Sequence, residues 1–186
     1  MPGLLVGGAQ VDITPAAGTH LSGSGAGVHR GAEVVLDPLH ARAVAFEKDG
    51  QQACLLALDV TIVTREWTDR IKEAAARRWG LAPEAVLVHA TQTHSAPSLG
   101  YFMFDQDFPS LPGEKEYLRG AENAYAQMAA DRAVEAIGRA LADLRPARIG
   151  IGSAVCDGLA FNRRGVTRDG TVAMPWLYSS RDAPLG

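Results

Sequence analysis

Cysteine is scarce in this sequence. The two residues, Cys54 and Cys156, have no C-x-x-C spacing, so neither a disulfide framework nor a cysteine zinc site is on offer, and both read as buried thiols. Long hydrophobic runs are missing as well: no stretch approaches the roughly 18 apolar residues of a membrane span. Residues 1–8 lack the charged n-region and apolar core of a secretory signal, which leads us to expect a cytoplasmic protein. Positive charge is not in excess either. The net charge is -3 and no Lys/Arg stripe stands out, so nucleic acid is not an expected partner.

What is present is an ordinary globular composition, 47% hydrophobic and 21% charged over 186 residues, which fits one domain over residues 1–186. Residues 4–13 alternate as a first strand closed by Thr14-Pro15. Residues 16–32 are rich in Gly, Ser and Ala and hold His20, His29 and Arg30; a loop this long in a compact domain tends to be functional or mobile. Residues 40–47 and the apolar run 53–60 flank Asp49-Gly50, the pairing that favours a type I′ hairpin. The second strand, apolar on both faces, is expected in the interior of the sheet.

Thr64 is placed to N-cap a helix over residues 64–79, in which Trp67, Ile71, Ala75 and Trp79 form one stripe and Gly80 stands at C′. Residues 85–88 form another strand, so strand, helix and strand follow as in a βαβ unit with parallel pairing. Residues 114–144 predict one long helix ended by Pro146. Residues 148–155 alternate like a strand, with Ile149 and Ile151 facing one way. The chain then runs out in turn-rich sequence without a closing element, as a segment of a larger domain would. The expected fold is α/β, a mixed sheet with packed helices.

Chemistry concentrates after the strand at 85–88, in Thr91-Gln-Thr-His-Ser-Ala-Pro97. Ligands of α/β proteins gather beyond the carboxyl ends of strands. His94 suits a metal ligand or a hydrogen-bond donor to a transition state, against an ordinary loop histidine. Gln92 suits a substrate amide and, equally, an ordinary loop amide. His89, on the strand itself, reads as a packed core histidine. Asn162, Arg163 and Arg164 could clamp a carboxylate or a developing oxyanion, or form surface ion pairs. Asp59 needs a partner at the end of its apolar strand, and Arg42 is the candidate. Aromatics interleaved with acids over 101–112 suit either core or an apolar substrate. Ser95 has no G-x-S-x-G elbow to make it a nucleophile.

Five short motifs in register, Gly8-Ala-Gln-Val-Asp-Ile-Thr-Pro15, Leu36-Asp-Pro-Leu-His-Ala-Arg-Ala43, Leu55-Leu-Ala-Leu-Asp59, the loop just quoted and Phe161-Asn-Arg-Arg164, together resemble the neutral/alkaline non-lysosomal ceramidase family. The resemblance covers the N-terminal part of that family's catalytic domain. It implies a zinc-dependent amidase that hydrolyses the N-acyl bond of a ceramide-like lipid amide. Taking it with the chemistry of the residues, we expect His94 and Arg163 to be catalytic, Gln92, Asn162 and Arg164 to be substrate-binding, and His94 to be the candidate metal ligand. The family's loop reads Thr-His-Thr-His-Ser-Gly-Pro, its first His a zinc ligand and its second at the substrate. The second corresponds to His94, but Gln92 stands in place of the first, and an amide oxygen is a weak zinc ligand.

The resemblance puts the family's other ligands, a His, a Glu and a Tyr, later in the domain, and nothing after Arg164 matches them. Three alternatives stay open: a missing segment supplies the donors, the site is lost, or it is rebuilt around His94, His89 or His29. Homo-oligomerisation could complete a half-site across an interface. The competing function is a non-catalytic, ceramidase-like binding or assembly module.

Overall fold

The computed structural model describes residues 3–23, 31–104, 113–159, 164–166 and 170–173. The chain divides into two compact units, Met1–Arg148 and Ile149–Gly186. The first holds a five-stranded mixed sheet and two helices.

Asp49 (φ 53°) and Gly50 (φ 77°) both take the positive φ of a type I′ turn. They join strand β2 (His40–Lys48) to strand β3 (Gln51–Leu58) in an antiparallel hairpin whose last pair is Lys48 with Gln51. Strand β1 (Leu5–Asp12) lies antiparallel along the other edge of β2. Helix α1 (Arg65–Trp79) follows β3 and returns the chain to β4 (Val86–Ala90), which pairs parallel with β3 as a βαβ unit requires. A short strand β5 (Arg145–Pro146) pairs with Leu5 and Val6, giving the order β4-β3-β2-β1-β5.

Helix α2 (Asn123–Ala142) packs on β1 and β2 beside α1. The contact is built from small residues: Ala41, Ala43 and Ala45 on the sheet meet a helix whose buried positions include Ala126, Ala129, Ala133 and Ala136. Small side chains let the two backbones come close. At Gly7 they come so close that a Cβ would strike the Ala140 carbonyl oxygen.

Several expectations are corrected. The long helix breaks: Gly113–Arg119 is 3-10, and Gly120 turns the chain at φ 97° where a Cβ would strike the Phe102 ring, so α2 starts only at Asn123. Thr64 is the N-cap residue of α1, but its side chain makes no capping bond. Gly80 does close the helix in the left-handed conformation (φ 69°). Trp79 is 45% exposed, its ring over Gly138 and its indole Nε1–H donating to the Val134 carbonyl. No strand forms over 149–155, where Ile149 and Ile151 are exposed; the last strand of the sheet is β5 instead, because its residues have the β1 edge to pair with. Cys156 is exposed, whereas Cys54 is buried and desolvation pushes its thiol up to about 11, leaving it protonated and inert at neutral pH.

The sheet is covered on one face. Leu56 and Leu58 of β3 are buried beneath the helices, but Leu55, with its neighbours Val44 on β2 and Leu87 on β4, is exposed on the other face. Being central in strand order does not bury both faces when a second layer is absent among the described residues. In the second unit, Gly165–Val166 pairs antiparallel with Val172–Ala173.

Candidate functional site

Strands β3 and β4 do not simply end. Beyond them the two chains pair again, with Thr61 N–H donating to the Pro97 carbonyl, Leu99 N–H to Ile62 and Thr64 N–H to Leu99. Residues 91–96 are the excursion between the two paired stretches. The excursion leaves the carboxyl end of a parallel strand, where such sheets place ligands. Its entry is fixed by Thr91 N–H to the Leu58 carbonyl (2.9 Å) and Gln92 N–H to the Val60 carbonyl (3.1 Å).

Gln92 makes the turn. Its φ is 60°, in the left-handed region that costs an L-residue with a Cβ about 1–2 kcal/mol, and its side chain is exposed. His94 is exposed at the middle of the excursion, and among the described residues no hydrogen bond or ion pair engages its ring. The two residues that the sequence singled out therefore share one loop and both present their side chains outward.

Sequence reasoning missed the residue that holds this loop together. Thr61 is 5% exposed, and its hydroxyl lies 2.9 Å from both the Thr93 and the Ala96 carbonyl oxygens. One hydroxyl hydrogen is shared between two acceptors across the base of the excursion. Thr61→Val is expected to destabilise the protein by about 1–3 kcal/mol, the cost of losing the hydroxyl's bonds to the Thr93 and Ala96 carbonyls, of which only Ala96 keeps another donor in Ser22 N–H, while Thr61→Ser costs less than half as much. Urea denaturation of the pair checks this. A threonine inside an apolar run gives no sign in sequence of the carbonyls it will meet.

Beside the excursion runs a groove of about 550 Å³. Its apolar wall includes Leu21, Val34, Val35 and Leu36, and its polar side includes Thr93 and Ser95, the neighbours of His94. Val34 and Leu36 are 85% and 91% exposed, so this extended segment offers aliphatic surface to solvent directly next to the loop.

At the carboxyl end of β3, Asp59 accepts from the backbone N–H of His40 (3.0 Å) and from Arg42 Nη1 (2.5 Å), and Arg42 Nη2 lies 3.2 Å from His40 Nδ1. The expected Arg42–Asp59 pair is present. His89 is exposed rather than packed, since it belongs to the uncovered face of the sheet. Nearby, Asp12 accepts from the backbone N–H of Thr14 (2.7 Å), which holds its carboxyl below the usual range. Beneath this end, burial pushes the Tyr125 hydroxyl pKa upward, with the negative charges of Asp59 and Asp12 adding to the effect.

Asn162 and Arg163 lie outside the described residues. Arg164 is exposed in the second unit. As for a metal, no group of three or more His, Cys, Asp or Glu side chains comes together among the described residues, and the donors on the loop are one imidazole and one amide. That set does not fit zinc by itself. No helix is long and apolar enough to cross a membrane among the described residues.

No protein-family model matches the chain, and no curated protein matches it in sequence. Solved structures do. A ceramidase complexed with C2 aligns at TM-score 0.60 and 22% identity over 78% of this chain. The neutral ceramidase from Pseudomonas aeruginosa aligns at TM-score 0.61 and 22% identity, also over 78% of this chain. In both cases the alignment covers 22% of the longer protein, so the chain spans about a fifth of the structures it matches. The resemblance seen in five short motifs is thus matched in three dimensions: the chain has the fold of part of a neutral ceramidase.

Proposed function

We propose that this chain is part of an enzyme that hydrolyses the N-acyl bond of a lipid amide, ceramide-like in having a long aliphatic chain next to the amide. The observation that carries the reading is the loop at 91–96: in a fold shared with neutral ceramidases it holds His94 outward at the carboxyl end of β4, beside an aliphatic groove. The Val34–Leu36 wall suits the alkyl chain, the Gln92 amide can pair with the substrate amide, and the His94 ring can donate to its carbonyl oxygen or to the departing nitrogen. Arg163 is assigned to stabilising the developing oxyanion, and Asn162 and Arg164 to binding substrate, because a guanidinium suits a carboxylate or an oxyanion.

A metal would supply polarisation of the carbonyl, with zinc the metal the resemblance implies. His94 could give it one ligand. The remaining donors would have to come from a longer polypeptide or from a partner copy, because the described residues do not complete the set. In this reading residues 1–186 form one piece of a larger catalytic domain.

A second reading is favoured by Gln92 and by the lone imidazole of the loop: a ceramidase-like module that binds or assembles without catalysis. Elemental analysis and turnover of an N-acyl sphingoid substrate by the complete gene product separate the two. Hydrolysis that falls about 10²–10⁴-fold in His94→Ala is the expected result. Turnover unchanged by His94→Ala rules out the assigned role. A metal-free protein with no turnover leaves the binding module.

A further inference from the structure

We propose that His20 is a positioning residue: paired with Glu122, it latches residues 18–23 to the amino end of α2 and so fixes the backbone on which His94 stands. This goes beyond the proposed reaction and does not depend on it.

The latch begins with one oxygen. Glu122 Oε1 accepts from the backbone N–H of His20 at 2.7 Å and lies 2.9 Å from the ring Nδ1. The carboxylate accepts only, so Nδ1 carries the hydrogen and the ring orientation is set. The imidazole is also stacked on Tyr117, centroids 3.7 Å apart and planes 7° apart. Glu122 occupies the N-cap position of α2 yet makes no capping bond to its own helix, leaving its carboxylate for His20 while it still benefits from the positive end of the helix dipole.

What the latch holds follows residue by residue. Leu21 forms part of the groove wall. Ser22, 2% exposed, donates its hydroxyl to the Gly120 carbonyl and its backbone N–H to the Ala96 carbonyl at 2.9 Å. Gly23 lies so close to the His94 backbone that a Cβ would have no room. The segment therefore bridges two bodies, the amino end of α2 through His20 and Ser22, and the site loop through Ser22 and Gly23. Thr61 holds that loop from the β3 side, and the latched segment holds it from the other.

The side chains of His20 and Glu122 are 30% and 31% exposed, so burial alone is a poor reason for this pair. What the arrangement requires at position 20 is an N–H donor at the δ position. Asparagine supplies one at the same number of bonds from the backbone; alanine does not.

Amide hydrogen exchange on the 186-residue chain tests the proposal without any activity measurement. In His20→Ala, exchange should quicken about tenfold over both 18–23 and 91–97, because two loosely held segments open together. His20→Asn should restore most of the protection. Faster exchange confined to 18–23 would overturn the proposal, since the site loop would then be held without the latch. Exchange rising equally in β2 and β3 would also overturn it, because the pair would be supporting the whole fold. An asparagine variant indistinguishable from alanine would sink the hydrogen-bond account.

Discussion

Leu56→Ala is expected to cost about 2–5 kcal/mol of stability, and Leu55→Ala, one residue away on the same strand, less than about 1 kcal/mol. The two leucines differ in one respect that matters. Leu56 is 1% exposed under α1 and α2, while Leu55 is 48% exposed on the opposite face of the sheet. Truncating the first removes transfer free energy and leaves a cavity in a packed core; truncating the second removes surface that water already reaches. Urea denaturation midpoints, with the slope checked for constancy, read the difference directly. Near-equal costs would mean that the outer face is covered in solution, as the apolar run 53–60 suggests to a reader of sequence.

Gly7→Ala is expected to cost at least about 1–3 kcal/mol, and Gly8→Ala to be neutral or slightly stabilising. At Gly7 an added Cβ would meet the Ala140 carbonyl oxygen and the backbone of Asp143 and Leu144. Backbone atoms of a helix cannot rotate aside, so β1 or the carboxyl end of α2 must move. At Gly8 nothing lies within 4 Å of the new methyl. A small residue in a strand usually weakens it, which makes Gly8 a fair control and Gly7 the informative exception. Thermal denaturation of both variants decides it. Equal behaviour would mean that the helix is not held against the sheet as closely as the structure has it.

Local signals in the sequence carried far here. Asp49-Gly50 declares its hairpin because only a narrow class of residues accepts two positive φ values in succession. The order strand, helix, strand led to the parallel β3–β4 pair because an intervening helix leaves few alternatives. The placement of the 91–96 loop was legible for the same reason: its polar residues follow directly from an apolar strand.

What escaped depended on contacts distant in sequence. Helical periodicity runs through Gly120, and what accompanies the break there comes from other segments: Phe102 and Met103 N–H donate to the Arg119 carbonyl, Ser22 donates to the Gly120 carbonyl, and the Phe102 ring lies beside the glycine. Counting apolar residues in β3 could not tell whether a second layer would cover Leu55, and the same gap misplaced His89. Thr61, Ser22 and the pairing of His20 with Glu122 are separated from their partners by 32 to 102 residues, so no window along the chain brings them together.

The left-handed backbone at Gln92 bears on how this loop could be remade. Its conformation is set by the Val60 carbonyl and the strand ends, and the side chain faces solvent. The position behaves as a socket whose occupant can be exchanged while the path of the chain stays the same. Histidine is among the residues that tolerate this backbone region better than most. A protein engineer who installs an imidazole there meets an already shaped loop, two residues from His94, and the obstacle to building a metal centre lies in finding further donors.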